Sequence, residues 1–304
     1  MNVDDIRKIL IVGTGTMGQK IALQCARFGY DVIAYDAVPK SLENAKAKVP
    51  AFAAELVAKG EMTPDASAEA LSRIRYSSDP KDGADADLLN ESVFEDVELK
   101  GKVFAQFNTL CKPETIFTTN TSTLVPSLYA EATGRPARFA ALHFYGVFDH
   151  NLADVMPHPG TAPEIVDILT AFAWRIRQVP VVLKREHPGY LGNALVDAMT
   201  HVAFQLALVD KIASVEDVDR ALMLSLGTRC GPFGRLDLVG LDTVWHIMQS
   251  NAKLSGDPRD QALADDFKRD YIDKGWLGAK SGRGFYTYPV PAWARPEFLG
   301  GEPE

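Results

Sequence analysis

With 304 residues, 46% of them apolar, the chain can bury two ordinary cores, which excludes a disordered or fibrous protein. A formal charge of −8 argues against a nucleic-acid binder, because phosphate recognition needs a concentrated excess of lysine and arginine. Three cysteines, Cys25, Cys111 and Cys230, lie far apart and without metal-type spacing, so neither disulfides nor a metal site is expected, and the compartment reads as the reducing cytoplasm.

Met1 to Arg7 is polar and the first apolar run spans only five residues, so no signal segment or membrane span is expected. That run, Lys8 to Val12, reads as a strand entering Gly13, and Met17 to Phe28 carries apolar residues at helical spacing. Asp31 to Tyr35 reads as a strand, Lys40 to Lys59 as a helix, Ala86 to Leu89 as a strand, Val97 to Leu110 as a helix and Thr115 to Thr119 as a strand. Phe139 to His143 and Leu152 to Met156 are two further strands, and Val179 to Leu183 follows a helix begun near Pro163. The alternation predicts an α/β fold with a doubly wound parallel sheet over residues 1–187. From Gly189 onward the pattern changes to long helical stretches, Tyr190 to Val209 and Val215 to Leu226, the latter opened by a Ser214/Asp217 cap. Residues 188–304 therefore read as a separate, all-helical domain, whose tail after Tyr288, with Pro289, Pro291 and Pro296, is expected to be extended and loosely held.

Gly13-Thr14-Gly15-Thr16-Met17-Gly18 is a Gly-x-Gly-x-x-Gly run, a weak signal alone but a strong one between a strand and a helix. The first glycine permits the tight turn, the second lets backbone approach a pyrophosphate, the third lets helix pack on strand, and the helix start at Thr16 and Met17 faces the diphosphate. Asp36 ends the second strand 18 residues after Gly18, where a carboxylate accepts from ribose hydroxyls and repels a 2′-phosphate. These residues predict a Rossmann-type domain that takes NAD rather than NADP. The plainer alternative is an ordinary strand-turn-helix with a surface aspartate.

Oxidation of a hydroxyl to a ketone needs a base for the hydroxyl proton and polar groups on the oxygen. His143 closes an apolar run and so projects from a strand end toward the crevice where α/β sheets bind ligands; it is the candidate base. Asp154, eleven residues on, returns to the same edge and is expected to hold the imidazole by its second nitrogen. Asn120 to Thr123 reads equally as a hydroxyl-rich loop capping a helix near Leu124, and Cys230 reads as a buried structural thiol rather than a nucleophile.

Several motifs then share one resemblance. Asn120-Thr121-Ser122, Ala141-Leu142-His143-Phe144, Gly231-Pro232-Phe233 with Asp237 and Gly240-Leu241-Asp242, and Gly282-Arg283-Gly284-Phe285-Tyr286 resemble segments of the short-chain 3-hydroxyacyl-CoA dehydrogenases over nearly the whole chain. The resemblance implies that Ser122 contacts substrate, that His143 is catalytic, that Asn193 fixes the substrate carbonyl, and that Glu95 and Lys100 lie near the nicotinamide. It implies a 3-hydroxy/3-keto substrate, with CoA as its carrier left open, and a homodimer. The excess of apolar positions in Tyr190 to Leu226 points to a dimer as well. The chain departs from the pattern in three places. Asp154 stands where glutamate is usual, after a loop one residue shorter; Gly146 and Val147 replace an asparagine and a proline; and Asn90-Glu91 interrupts a segment that is otherwise apolar.

Two rival readings remain. Ile74-Arg75-Tyr76-Ser77 and Asp270-Tyr271-Ile272-Asp273-Lys274-Gly275 resemble the diketoreductase branch, which implies a free keto acid, diketo ester, carnitine-like or sugar-acid substrate. The other is a non-catalytic, crystallin-like NAD-binding protein, against which Ser122, His143 and Asn193 argue together. A β-hydroxyacid dehydrogenase with lysine four residues before the asparagine is disfavoured, because Gly189 occupies that place.

Overall fold

A computed structural model describes residues 2–300, apart from the side chains of Asn251 and Leu254. The chain divides into two compact units, Met1–Ala194 and Leu195–Glu304. In the first, eight strands form one sheet: β1 (Lys8–Val12), β2 (Asp31–Tyr35), β3 (Ile74–Ser77), β4 (Leu88–Glu91), β5 (Ile116–Thr119), β6 (Phe139–Phe144), β7 (Leu152–Pro157) and β8 (Val179–Val182). Their order is β3-β2-β1-β4-β5-β6-β7-β8, parallel except where β7 runs antiparallel to β6. Parallel strands covered on both faces need apolar residues at consecutive positions, and Ile9 to Val12 are all buried. The connections use α1 (Thr16–Arg27), α2 (Pro39–Ala58), α3 (Pro64–Ser72), α4 (Val97–Asn108) and α5 (Pro163–Arg175).

The predicted strands and helices recur with ends shifted by a residue or two. The sequence reading left out α3 and β3. The first starts at a Thr63 cap followed by Pro64, and the second is an edge strand of four residues with only Ile74 and Ser77 buried. β4 lies two residues later than expected because Asn90 and Glu91 belong to the strand and are buried in it.

Strand order reverses between β1 and β4, so the connections leaving those two strands pass to opposite faces and open a crevice at their carboxyl ends. The register brings Val12, Glu91 and Thr119 level across β1, β4 and β5. On the antiparallel pair, His143 lies directly opposite Asp154.

The helix α6 (Tyr190–Phe204) begins in the first unit, continues into the second and runs on as a π-helix, Gln205–Val209. The second unit adds α7 (Val215–Leu226), α8 (Pro232–Val239), α9 (Leu241–Ser255) and α10 (Pro258–Phe267), and its described residues hold only isolated β-bridges. Ser214 caps α7 by accepting from the Asp217 amide at 3.1 Å, as expected. Two buried aspartates organise this unit. Asp219 accepts from the Phe233 and Gly234 amides and the Tyr286 hydroxyl, while Asp237 accepts from the Phe285 and Tyr286 amides. Gly231 and Gly284 are required there, since a Cβ would lie 2.4 Å from Asp219 and 2.0 Å from Asp237 respectively. The expectation of a loose tail is corrected: short 3-10 turns at Ala292–Ala294 and Pro296–Leu299 fold it back. Phe298 is buried with the core of this unit, and Arg220 both donates to its carbonyl and stacks on its ring.

Candidate active site

The glycine run forms the turn between β1 and α1. Gly13 has φ +98°, a conformation that favours glycine, and its amide donates to the Tyr35 carbonyl. A Cβ on Gly18 would lie 1.9 Å from the Gly13 carbonyl oxygen, so only glycine lets the helix sit this close to the turn. At Gly15 the opposite holds, with nothing within 4 Å of a built Cβ. This glycine is the N-cap of α1 and supplies no side-chain cap, so the first helical amides, from Thr16 and Met17 onward, are free to meet an anion. Asp36, at the end of β2, accepts from the Thr14 amide and hydroxyl through one oxygen and from the Val38 amide through the other. An open glycine cradle, a helix start and a strand-end carboxylate fit a dinucleotide.

Past β4 and β5 the crevice wall carries a buried ionic cluster. Lys100, from the first turn of α4, is fully buried; its Nζ lies 2.7 Å from Glu91 and 3.1 Å from Glu95. Glu91 also accepts from the Val93 amide and the Thr119 hydroxyl, and Glu95 from the Thr121 hydroxyl and the Ser122 amide. Burial pushes the Glu91 carboxyl up against the pull of Lys100. Burial acts the same way on the half-exposed Glu95, but Lys100, Thr121 and Ser122 together hold it below its ordinary value. Asn90, unexplained in the sequence, donates to the Thr118 hydroxyl and accepts from Ser92, so the polar strand end is hydrogen-bonded.

His143 is 5% exposed, near the end of β6. Burial pushes its imidazole down to about 4, against the opposing charges of Asp154 and Glu95. Asp154 is the cross-strand neighbour, yet it does not hold the ring as expected. Its Oδ2 accepts from the Tyr145 hydroxyl at 2.6 Å and the Leu191 amide at 3.1 Å, while its Oδ1 and the His143 Nδ1 are both buried without a hydrogen-bond partner among the described residues. Asn193, in the first turn of α6, donates from its side-chain amide to the Ser122 carbonyl at 3.4 Å. Ser122 belongs to a loop, not to a helix cap: the first helical turn beyond it starts at Pro126, and Asn120 accepts from the Phe144 amide.

One cavity of about 440 Å³ unites these parts. Gly15, Thr16, Met17, Glu95, Lys100, Ser122, His143 and Asn193 all line it, whereas Gly13, Gly18, Asp36 and Asp154 are not among its lining residues. Sequence reasoning missed Glu91 and Tyr145. Tyr145 stands two residues after His143, the spacing that returns a strand side chain to the same face, and that spacing is the signal that could have found it. No group of three or more His, Cys, Asp or Glu side chains suited to a metal occurs among the described residues, and no described helix is long and apolar enough to cross a membrane.

A dinucleotide cradle opening beside a buried histidine has the features of a nicotinamide-dependent oxidoreductase. Residues 8–186 match the NAD-binding domain model of 3-hydroxyacyl-CoA dehydrogenase, and residues 189–288 match its C-terminal domain. The chain belongs to the 3-hydroxyacyl-CoA dehydrogenase family and is an NAD-dependent enzyme. It is 32% identical over 282 residues to a probable 3-hydroxybutyryl-CoA dehydrogenase of Deinococcus radiodurans, covering 92% of this chain and 100% of that one. Among solved structures it resembles a diketoreductase at 38% identity and TM-score 0.86, covering 93% of this chain and 99% of that one. It also resembles the (S)-3-hydroxybutyryl-CoA dehydrogenase of Ralstonia eutropha at 29% identity and TM-score 0.81, covering 94% and 100%.

Proposed function

We propose that this enzyme interconverts 3-hydroxyacyl and 3-ketoacyl groups carried on CoA, with a short chain such as 3-hydroxybutyryl-CoA as substrate. The observation that carries the reading is His143, kept neutral by burial on the wall of the same cavity as Ser122 and Asn193. Gly15, Thr16, Met17 and Asp36 would hold NAD, which when bound accepts the hydride leaving C3. The neutral imidazole takes the C3 hydroxyl proton as that oxygen becomes a carbonyl, and Asp154 stabilises the imidazolium. Ser122 and Asn193 position the oxygen, and Glu95 and Lys100 form the wall on the nicotinamide side. In the reductive direction the same proton returns from His143 to the alkoxide.

A second reading, a reductase of diketo esters or free keto acids without CoA, is favoured by the 38% identity to a diketoreductase. NADH oxidation with acetoacetyl-CoA, free acetoacetate and 3,5-diketo esters separates the two. The first reading requires kcat/KM for acetoacetyl-CoA to exceed the others at least tenfold, and the reverse order establishes the second. The exposed Val202, Val209, Leu224, Leu226 and Val239 of the second unit support a homodimer, which light scattering at micromolar concentration tests. Three unpaired cysteines support the cytoplasm as its compartment.

A further inference from the structure

Asp154 is fully buried, with two claimants for its charge. One is His143, opposite it on the sheet. The other is the start of α6, where the Leu191 amide already donates to Oδ2 and the next two amides, Gly192 and Asn193, point the same way. A helix start attracts a carboxylate through its free amides and its dipole. Those two amides do not reach Asp154, because the Tyr145 hydroxyl intervenes. It accepts from Gly192 at 2.8 Å and Asn193 at 3.3 Å and donates to Asp154 at 2.6 Å. The packing is built around this hydroxyl: a Cβ on Gly192 would lie 2.7 Å from it. The α6 turn is itself held in an uncommon backbone, with Gly189 at φ +77° and the buried Tyr190 at φ +57°. Burial, then the hydrogen bond to Asp154 and its charge, raise the Tyr145 hydroxyl, so it remains a donor.

We propose that Tyr145 is a positioning residue: its hydroxyl takes the Gly192 and Asn193 amides of α6, so that Asp154 gives the helix start only the oxygen that meets Leu191 and keeps its other oxygen for His143. The inference rests on the reading of His143 as the base. It also accounts for how the shorter acid serves, since the acid need not reach the deeper amides and the imidazole together.

The test is a double-mutant cycle of Tyr145→Phe and Asp154→Glu on the full chain, with turnover followed against pH. Tyr145→Phe keeps the ring that packs 4.4 Å from the imidazole and removes only the hydroxyl. Freed amides then draw Asp154 toward α6. Turnover should fall about tenfold, and the acid limb of alcohol oxidation should move to lower pH as His143 loses its stabilising charge. NADH affinity should stay unchanged, which also reports a folded enzyme. Asp154→Glu alone overfills the contact with Tyr145 and lowers turnover. In the double variant the vacated hydroxyl volume receives the extra methylene, and its turnover should exceed that of either single variant. An unmoved acid limb in Tyr145→Phe, or losses that simply multiply in the double variant, overturns the proposal. Nuclear magnetic resonance titration of the His143 ring gives the same answer if turnover in either single variant is too low to measure. A His143→Ala control keeps the failures apart, because full activity there removes the base itself, whatever Tyr145 does.

Discussion

Lys100 and His143 stand on the same crevice wall, both nearly dry, and meet opposite conditions. Two carboxylates lie within 3.1 Å of the Lys100 ammonium, and the hydroxyls and amides around them complete the cluster. The His143 imidazole also has a carboxylate neighbour, but that acid is hydrogen-bonded to Tyr145 and Leu191, and burial lowers the histidine proton affinity despite the opposing charges of Asp154 and Glu95. Burial alone therefore does not decide whether an ionisable side chain is part of a framework or ready for proton transfer. What decides it is whether the opposite charge makes contact.

The largest effect is expected from breaking the ionic cluster. Lys100→Met should destabilise the protein by about 3–5 kcal/mol in urea unfolding, because Glu91 is then buried without its cation. A loss under about 1 kcal/mol would show that Glu91 takes up a proton at little cost and that the two regions are alike. Next comes the histidine. Its folded-state value lies near 4 against an ordinary 6.5, so between those values the unfolded chain binds a proton that the folded one does not. Stability should therefore fall as pH drops through that window, by about 3 kcal/mol from this group. His143→Gln should flatten the decline relative to the parent, measured as unfolding free energy at pH 7, 5.5 and 4; equal slopes would place the imidazole at its ordinary value. The smallest effect sharpens the comparison. Asp154→Asn removes the charge facing His143 and should slow oxidation about 10- to 100-fold, with the acid limb moved to lower pH. Unchanged turnover with an unchanged limb would exclude Asp154 from the chemistry.

Much of this was legible in the sequence because it rests on local constraints. The glycine run, the Asp36 strand end and the His143 strand end each follow from what a turn or a sheet edge requires, and the structure brings Gly15, Ser122, His143 and Asn193 to one cavity. The α3/β3 connection was not legible, because a four-residue edge strand with two buried positions carries almost no periodic signal. Neither was the true extent of β4: apolar patterning stops at Leu89, while Asn90 and Glu91 are buried by partners from distant Thr118, Thr119 and Lys100. The tail reads as loose from its prolines, yet one aromatic, Phe298, anchors it. Asp154 was expected on the same sheet edge as His143 and lies directly opposite it, but the expected hydrogen bond is absent, and the Tyr145 and Leu191 contacts to the other oxygen of the acid carry no signal in the sequence.

The central claim, that a buried neutral His143 is the proton acceptor for hydride transfer, is tested most directly by steady-state oxidation of 3-hydroxybutyryl-CoA in His143→Ala, with NADH affinity measured on the same sample. The account predicts turnover lowered by about 10²- to 10⁴-fold with NADH affinity nearly unchanged. Turnover equal to that of the parent would contradict it.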